Sequence, residues 1–224
     1  MSGDHALQLT SFGGPVPGWA RWSPDGRSVA FDARPQGNSD VAVVAASGGA
    51  MHQLTRHPGA DARPAWAPDG RSIYFISDRS GRNEIWRMDA DGGHPTQITK
   101  DGADTVEIAT DGQWLYYQGL TPPLGIRRIR PDGTGDGVVV DGNVRLGMFR
   151  PTAKGIWFVT NPPQGTATTA LHEYVFADAK VRDVAEIDFV PITVGMAVSP
   201  DERYVFVTRN DRNGSDLLLV DGFR

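Results

Sequence analysis

The chain has 224 residues, a formal net charge of −5 and no cysteine. The absence of cysteine excludes disulfides, thiolate metal sites and cysteine nucleophiles. The acidic balance predicts neither a nucleic-acid partner nor an anionic membrane partner. No apolar run reaches the length of a membrane span, and the N-terminal residues lack the pattern of a secretory signal. Localisation therefore stays open: we expect a periplasmic or other extracytoplasmic protein only if the chain is part of a longer exported protein.

The stretch 62–99 contains four short apolar segments, each followed by a turn signal. Its first turn, at residues 67–70, has proline second and glycine fourth, as type I turns prefer. Ser72–Ile76 is almost continuously apolar, which is typical of a strand covered on both faces. Four antiparallel strands of this length form one small sheet that needs similar neighbours on both sides.

The same turn recurs along the whole chain. Its equivalent positions stand at intervals of 44, 42, 43 and 47 residues, at Asp25, Asp69, Asp111, Lys154 and Asp201. A period of 40–50 residues with four strands in each unit is the signature of a β-propeller. We therefore predict one all-β propeller domain over 1–224, built of four-stranded antiparallel blades at 18–55, 62–99, 104–140, 144–187 and 192–220.

The fifth unit ends where its fourth strand should begin. At the other end of the chain, residues 6–10 form a spare strand that resembles the fourth strand at 52–55. We therefore expect the N-terminal strand to complete the last blade and close a five-bladed ring, which would remove exposed sheet edges. The alternative is that the chain is part of a six- to eight-bladed ring.

The repeated residues resemble the TolB-like propeller family. The second unit, Trp66–Thr99, matches the family pattern nearly throughout, and the first unit matches it from Trp22 to Thr55. The resemblance implies a scaffold that serves as a periplasmic protein-interaction module, a sensor domain or a gating domain joined to a hydrolase. The segment Ser215–Arg224 also resembles the end of propellers appended to bacterial regulators and kinases, which would make the chain a sensor module.

A candidate binding site lies where the units depart from the repeat. Trp19 stands three residues before the repeated core position, where the other units have Arg63, Thr105, Leu146 and Gly195. This row should line the mouth of a central channel, and an aromatic wall with arginines could hold a carboxylate or an acidic peptide end. In the alternative, the arginines pair with nearby acids. The candidate ligand-binding residues are Trp19, Arg21, Asp61, Arg63, Asp104, Glu107 and Arg145.

The sequence offers little evidence of catalysis. No Gly-x-Ser-x-Gly nucleophile motif is present. Inner-strand acids, of which Glu107 is the clearest beside Asp104 and Asp61, leave a glycosidase or lyase as the alternative function. The histidines are dispersed over different units, with His5, His52 and His94 at or beside outermost strands, so we expect no metal and no cofactor.

Two further repeated features have structural explanations. The turn aspartates should bond their own downstream backbone amides. Trp22 and Trp66 should fill a core position between blades. The sequence thus favours a non-catalytic protein- or ligand-binding scaffold or sensor domain, monomeric, with a protein or peptide partner and a small acidic ligand as a further option.

Overall fold

The structure is a computed structural model that describes residues 9–10, 18–35, 37–191, 196–211 and 214–220. The described residues form strands joined by turns and loops, and none of them belongs to a helix long and apolar enough to cross a membrane. The strands are β1 (Gly18–Trp22), β2 (Ser28–Ala33), β3 (Asp40–Ala45), β4 (His52–Gln53), β5 (Asp61–Trp66), β6 (Ser72–Ser77), β7 (Glu84–Asp89), β8 (Thr96–Gln97), β9 (Ala103–Ile108), β10 (Leu115–Gly119), β11 (Gly125–Ile129), β12 (Gly137–Asp141), β13 (Val144–Pro151), β14 (Gly155–Thr160), β15 (Thr169–Val175), β16 (Lys180–Ile187), β17 (Met196–Val198), β18 (Val205–Asp211) and β19 (Gly214–Val220).

These strands form five sheets, and the strands of each sheet follow chain order. Four sheets have four strands, β1–β4, β5–β8, β9–β12 and β13–β16, and the fifth has three, β17–β19. The all-β propeller of antiparallel blades is therefore confirmed. The predicted number of five four-stranded blades is not confirmed, because the described residues form four such blades and one three-stranded sheet. The strand expected at 6–10 lies almost wholly outside these residues, so ring closure stays a prediction.

The chain divides into two compact units. Unit 1 comprises Met1–Ile108 with Pro131–Gly133, and unit 2 comprises Ala109–Arg130 with Thr134–Arg224. Each unit has apolar cores built from the interiors of its strands. In unit 1 one core surrounds Phe31 and another surrounds Phe75, whereas in unit 2 the cores surround Phe149 and Trp157. The assignment of 1–224 to a single domain stays a prediction.

The repeated turns are held by the aspartate chemistry that the sequence predicts. The Oδ1 atoms of Asp25, Asp69, Asp111 and Asp201 accept hydrogen bonds from the amide two residues downstream, at 2.9–3.1 Å. In the first three turns the following glycine adopts φ of 69–70°, a left-handed conformation that glycine adopts without steric cost. These aspartates therefore stabilise turns.

The core position predicted for the two repeated tryptophans is confirmed for one of them. Trp66 packs against the unit 1 core that contains Val41 of the preceding blade. Trp22 is 62% exposed, so the prediction of a core residue is wrong at this position. Among the described residues of unit 1, β1 belongs to the first sheet, so no earlier sheet of that unit covers Trp22.

Candidate functional site

The site begins with an irregularity in two inner strands. The pairing register shifts between Gly18 and Arg21 in β1 and between Ala62 and Ala65 in β5. At these bulges Trp19 has φ of 46° and Arg63 has φ of 56°. A left-handed backbone at a non-glycine residue costs of order 1–3 kcal/mol, and such bulges commonly redirect a side chain. The two residues that the sequence placed in one row therefore share an unusual backbone conformation.

A buried carboxylate from the preceding blade lies near the second bulge. Burial raises the pKa of Asp32, on β2, above its ordinary value, although the backbone amide and the charge of Arg63 oppose the shift. In unit 2, Gln118 Oε1 accepts a hydrogen bond from the backbone N–H of Gly147 at 2.6 Å, and Gly147 also has positive φ. A polar side chain from the preceding blade therefore lies at a bulge in each unit.

Two guanidinium groups lie against the Trp19 ring. The Cζ atom of Arg21 is 5.5 Å from the ring centroid, and that of Arg63 is 5.3 Å from it. Both distances are within the range of cation–π attraction. The structure therefore brings together three of the predicted site residues around one indole.

Each of these arginines also forms an ion pair with an inner-strand acid of β9. Arg21 Nη2 lies 2.9 Å from Glu107 Oε1, and Arg63 pairs with the carboxylate of Asp104. Arg63 Nη1 also donates to the backbone carbonyl of Asp104 at 2.9 Å. Burial lowers the pKa of Arg63. We call these five residues the Trp19 cluster: Trp19, Arg21, Arg63, Asp104 and Glu107.

Arg21 and Arg63, but not Arg145, thus have the acidic partners that the alternative interpretation expects. The side chains of Glu107 and Asp104 are only 14% and 8% exposed, whereas those of Arg21 and Arg63 are 27% and 26% exposed. The arginines therefore form the more accessible side of a cluster whose formal charges balance.

Asp61 has a different environment from the rest of the predicted site. Its side chain is fully buried, and its Oδ2 accepts a hydrogen bond from Arg79 Nη2 at 2.6 Å. The Arg79 guanidinium also lies 4.8 Å from the Trp86 ring centroid and 5.3 Å from that of Phe75. Asp61 is therefore part of the interior of the second blade, where it cannot meet a ligand directly.

Arg145 belongs to unit 2 and is described with that unit. Its Nε donates to the backbone carbonyl of Pro191 at 2.7 Å, and its Nη1 donates to Asn161 Oδ1 at 3.3 Å. Burial lowers the pKa of Arg145. The remaining members of the predicted row differ: Thr105 is buried, Leu146 is 36% exposed, and Gly195 lies outside the described residues.

Sequence reasoning missed Asp32 and Arg79. A signal existed for Asp32, because this charged residue occupies the strand position that is the apolar Ile76 in the second unit and the polar Gln118 in the third. Arg79 belongs to the family pattern itself, and its place in a turn does not indicate a buried ion pair. Its role depends on the fold, because the turn that carries it returns to the start of β5.

The described histidines are not brought together. His52 begins β4, His57 Nδ1 accepts a hydrogen bond from the Gly59 amide, and His94 pairs with Asp89 at 2.7 Å. His5 lies outside the described residues. Within the described ranges, no group of three or more histidine, aspartate or glutamate side chains could hold a metal ion.

The sheets define the chain as a β-propeller protein. A family model described as the TolB beta propeller domain matches residues 6–166. This chain belongs to the TolB β-propeller family. No curated protein matches the sequence.

Solved structures of similar fold include TolB proteins and a hydrolase. TolB from Acinetobacter baumannii has a TM-score of 0.76 and 18% identity over 92% of this chain and 52% of that one. The putative TolB from Agrobacterium tumefaciens has a TM-score of 0.68 and 20% identity over 90% of this chain and 73% of that one. Puromycin hydrolase has a TM-score of 0.63 and 17% identity over 90% of this chain and 34% of that one. These identities show a shared fold alone, and the chain spans about half the length of the Acinetobacter TolB.

Proposed function

We propose that this domain is a binding module and that its Trp19 cluster binds a peptide segment of a protein partner without chemical change. The observation that carries the proposal is the left-handed Trp19, whose ring meets two guanidinium groups that are each paired to an acid. Membership of the TolB β-propeller family supports a protein partner in general.

The composition of the cluster matches that of energetic centres in protein interfaces. Tryptophan and arginine are the residue types most enriched among such hot spots, and truncating one typically costs 2 kcal/mol or more in binding. The ion pairs hold both arginine side chains in place before a ligand arrives. Less side-chain entropy is therefore lost on binding, which favours affinity.

The balanced charges favour a peptide over a small acidic ligand at this cluster. An anion that approached Arg21 or Arg63 would have to compete with Glu107 or Asp104. A peptide backbone and polar side chains could instead bond to the accessible edges of both ion pairs. The hydrogen-bond acceptors of Arg145, a backbone carbonyl and an amide oxygen, carry no charge, so the acidic-ligand option fits Arg145 better.

The same contacts argue against the glycosidase or lyase alternative at these acids. A carboxyl group that transfers a proton must have an oxygen available to the substrate. Arg21 engages Glu107, and Arg63 engages the nearly buried Asp104. The geometry therefore supports a binding role for both carboxylates.

The test uses two tryptophans of one strand. Peptides are selected from a random phage-displayed library on the full chain, and their affinities are measured by calorimetry for wild type, Trp19→Ala and Trp22→Ala. Trp22 is the matched control because it is exposed on the same strand but lies outside the cluster. We expect Trp19→Ala to weaken binding about 30-fold or more, the equivalent of 2 kcal/mol, and Trp22→Ala to change it less than threefold.

Two further variants assign the ligand's charge. Arg63→Ala and Arg145→Ala are tested with the selected peptides and with an oligoglutamate peptide. Loss of selected-peptide binding in Arg63→Ala supports the proposed site, whereas oligoglutamate binding that depends on Arg145 alone supports the acidic-ligand option. Selected peptides whose affinity is equal in Trp19→Ala and wild type would overturn the proposal.

A further inference from the structure

Unit 2 contains a second arrangement of chemistry-bearing side chains, on the fourth blade. His172, on β15, accepts or donates hydrogen bonds at both ring nitrogens: Nδ1 lies 2.8 Å from Asp183 Oδ1, and Nε2 lies 3.3 Å from Thr160 Oγ1. The three residues come from three adjacent strands, β14, β15 and β16. They form a hydroxyl–imidazole–carboxylate row.

The pairing of the strands produces this row. His172 stands opposite Phe158 on β14 and opposite Asp183 on β16 in the sheet register. The imidazole also stacks on the Phe158 ring, with centroids 5.1 Å apart and an interplanar angle of 21°. The ring is thus fixed by a stacking contact and by hydrogen bonds at both nitrogens.

The carboxylate determines the tautomer of the neutral imidazole. The ionised carboxylate of Asp183 can only accept, so Nδ1 carries the proton and donates a hydrogen bond to Asp183. Nε2 is then the acceptor for the hydroxyl hydrogen of Thr160. This is the polarity in which a base activates a hydroxyl nucleophile while a third group orients the base, and the 3.3 Å distance is slightly longer than an ideal hydrogen bond between such groups.

The row opens into a groove of about 570 Å³, which we call the fourth-blade groove. Pro163, Ala170, Val184 and Ala185 supply apolar parts of its wall, and Thr160, His172 and Asp183 all line it. The side chain of His172 is only 14% exposed, whereas that of Asp183 is 92% exposed. A hydroxyl with its base therefore faces a groove whose apolar wall suits a short aliphatic group.

We propose that the fourth-blade groove hydrolyses esters of short aliphatic acids, with Thr160 as nucleophile, His172 as general base and Asp183 as positioning residue. Thr160 Oγ1 forms a bond to the ester carbonyl carbon while its proton passes to His172 Nε2. The carbonyl–alkoxy bond then breaks, and the leaving oxygen takes that proton from His172. Water attacks the acyl-threonine by the same route in reverse, which releases the acid and restores the hydroxyl.

This proposal is independent of peptide binding, because the Trp19 cluster belongs to unit 1. The test measures p-nitrophenyl butyrate hydrolysis by the full chain and follows the butyryl adduct by peptide mass spectrometry. We expect Thr160→Val to abolish both turnover and the adduct at residue 160, and Thr160→Ser to retain both. We expect His172→Gln to lower the rate about 100-fold or more.

The chain supplies a matched control for unspecific imidazole catalysis. His94 also pairs with an aspartate through Nδ1, at 2.7 Å, but is 90% exposed. His94→Gln should leave the rate unchanged. Asp183→Asn should lower kcat with little change in KM, and Asp183→Glu should restore part of kcat, which a merely structural role would not produce.

Each outcome decides the proposal, provided that thermal melting shows each variant to be folded. Hydrolysis that persists in Thr160→Val, or that falls equally in His94→Gln and His172→Gln, would overturn it. Absence of both turnover and adduct in the wild type would overturn it as well. The row would then be a cross-strand hydrogen-bond network that stabilises the blade.

Discussion

Replacement of Arg79 by alanine should destabilise unit 1 strongly, because it leaves the buried carboxylate of Asp61 without its cationic partner. The side chains of Arg79 and Asp61 are 10% and 0% exposed, and their Nη2 and Oδ2 atoms are 2.6 Å apart. Arg79 Nε also donates to Ser77 Oγ at 2.9 Å, and the guanidinium lies against the Trp86 ring. The variant therefore loses a buried ion pair, a hydrogen bond and a cation–π contact together.

The expected magnitude follows from the burial. Breaking a buried ion pair by removal of one partner costs about 3–5 kcal/mol, most of it from the uncompensated charge that remains. The double variant Asp61→Asn/Arg79→Met leaves no charge and should recover part of that loss. A surface pair gives the contrast: Arg182 and Asp178 are 57% and 39% exposed, so Arg182→Ala should cost less than about 1 kcal/mol.

The assay is urea unfolding at pH 7 followed by tryptophan fluorescence, with free energies of unfolding compared at equal m-values. A loss below about 1 kcal/mol for Arg79→Ala, similar to that of Arg182→Ala, would refute the assignment of Asp61 to the blade interior. Asp61 would then return to the candidate ligand-binding residues.

Three further substitutions test other parts of the structure. Burial raises the pKa of Asp32 above 3.8, so the folded protein retains this proton while the unfolded chain loses it, and stability falls as pH rises through that window. Asparagine does not ionise, so the Asp32→Asn variant lacks this pH-dependent fall in stability. In urea unfolding from pH 3 upward, the free energy of unfolding of Asp32→Asn minus that of wild type should therefore increase with pH. Thr99→Val should cost about 1–3 kcal/mol in the same assay at pH 7, because buried Thr99 donates to Glu84 Oε2 at 2.6 Å. Gly125→Ala should lower the free energy of unfolding by about 3 kcal/mol, because Gly125 has φ of 128° and an added Cβ would lie 2.1 Å from the carbonyl oxygen of Val140.

Each of these substitutions has a contrasting result. A stability difference between Asp32→Asn and wild type that is independent of pH would contradict the raised pKa. Thr96→Val, at an exposed position of the second blade, should change stability by no more than about 0.5 kcal/mol. Gly137→Ala should be equally mild, because an added Cβ there meets no atom within 4 Å. Equal losses in each pair would show that burial and backbone geometry do not set the cost.

The propeller could be predicted from the sequence because its signals are local. Proline, aspartate and glycine mark each turn, and apolar runs such as Ser72–Ile76 mark the strands. The blade count depended on long-range pairing of the chain ends, which a local pattern does not determine. The prediction for Trp22 failed for a related reason: its burial depends on a neighbouring blade, and the described part of unit 1 contains none before β1.

The candidate site could be predicted only in part. Comparison of the repeats identified Trp19 and Arg63 as exceptions in one row, and the structure gives both a left-handed backbone. The sequence could not decide which acid meets which arginine, because the partners lie on different strands. The structure shows that Asp61 pairs with Arg79, whereas Asp104 pairs with Arg63. The row around His172 was missed because cross-strand register is needed to align its members.

The central claim is that a peptide partner binds at the Trp19 cluster. The most direct test is amide hydrogen exchange of the full chain with and without a selected peptide at saturating concentration. We predict that protection increases in β1 and β5, the strands that carry Trp19 and Arg63, and is absent when the same peptide is added to Trp19→Ala. Protection confined to other strands, or unchanged in Trp19→Ala, would contradict the claim.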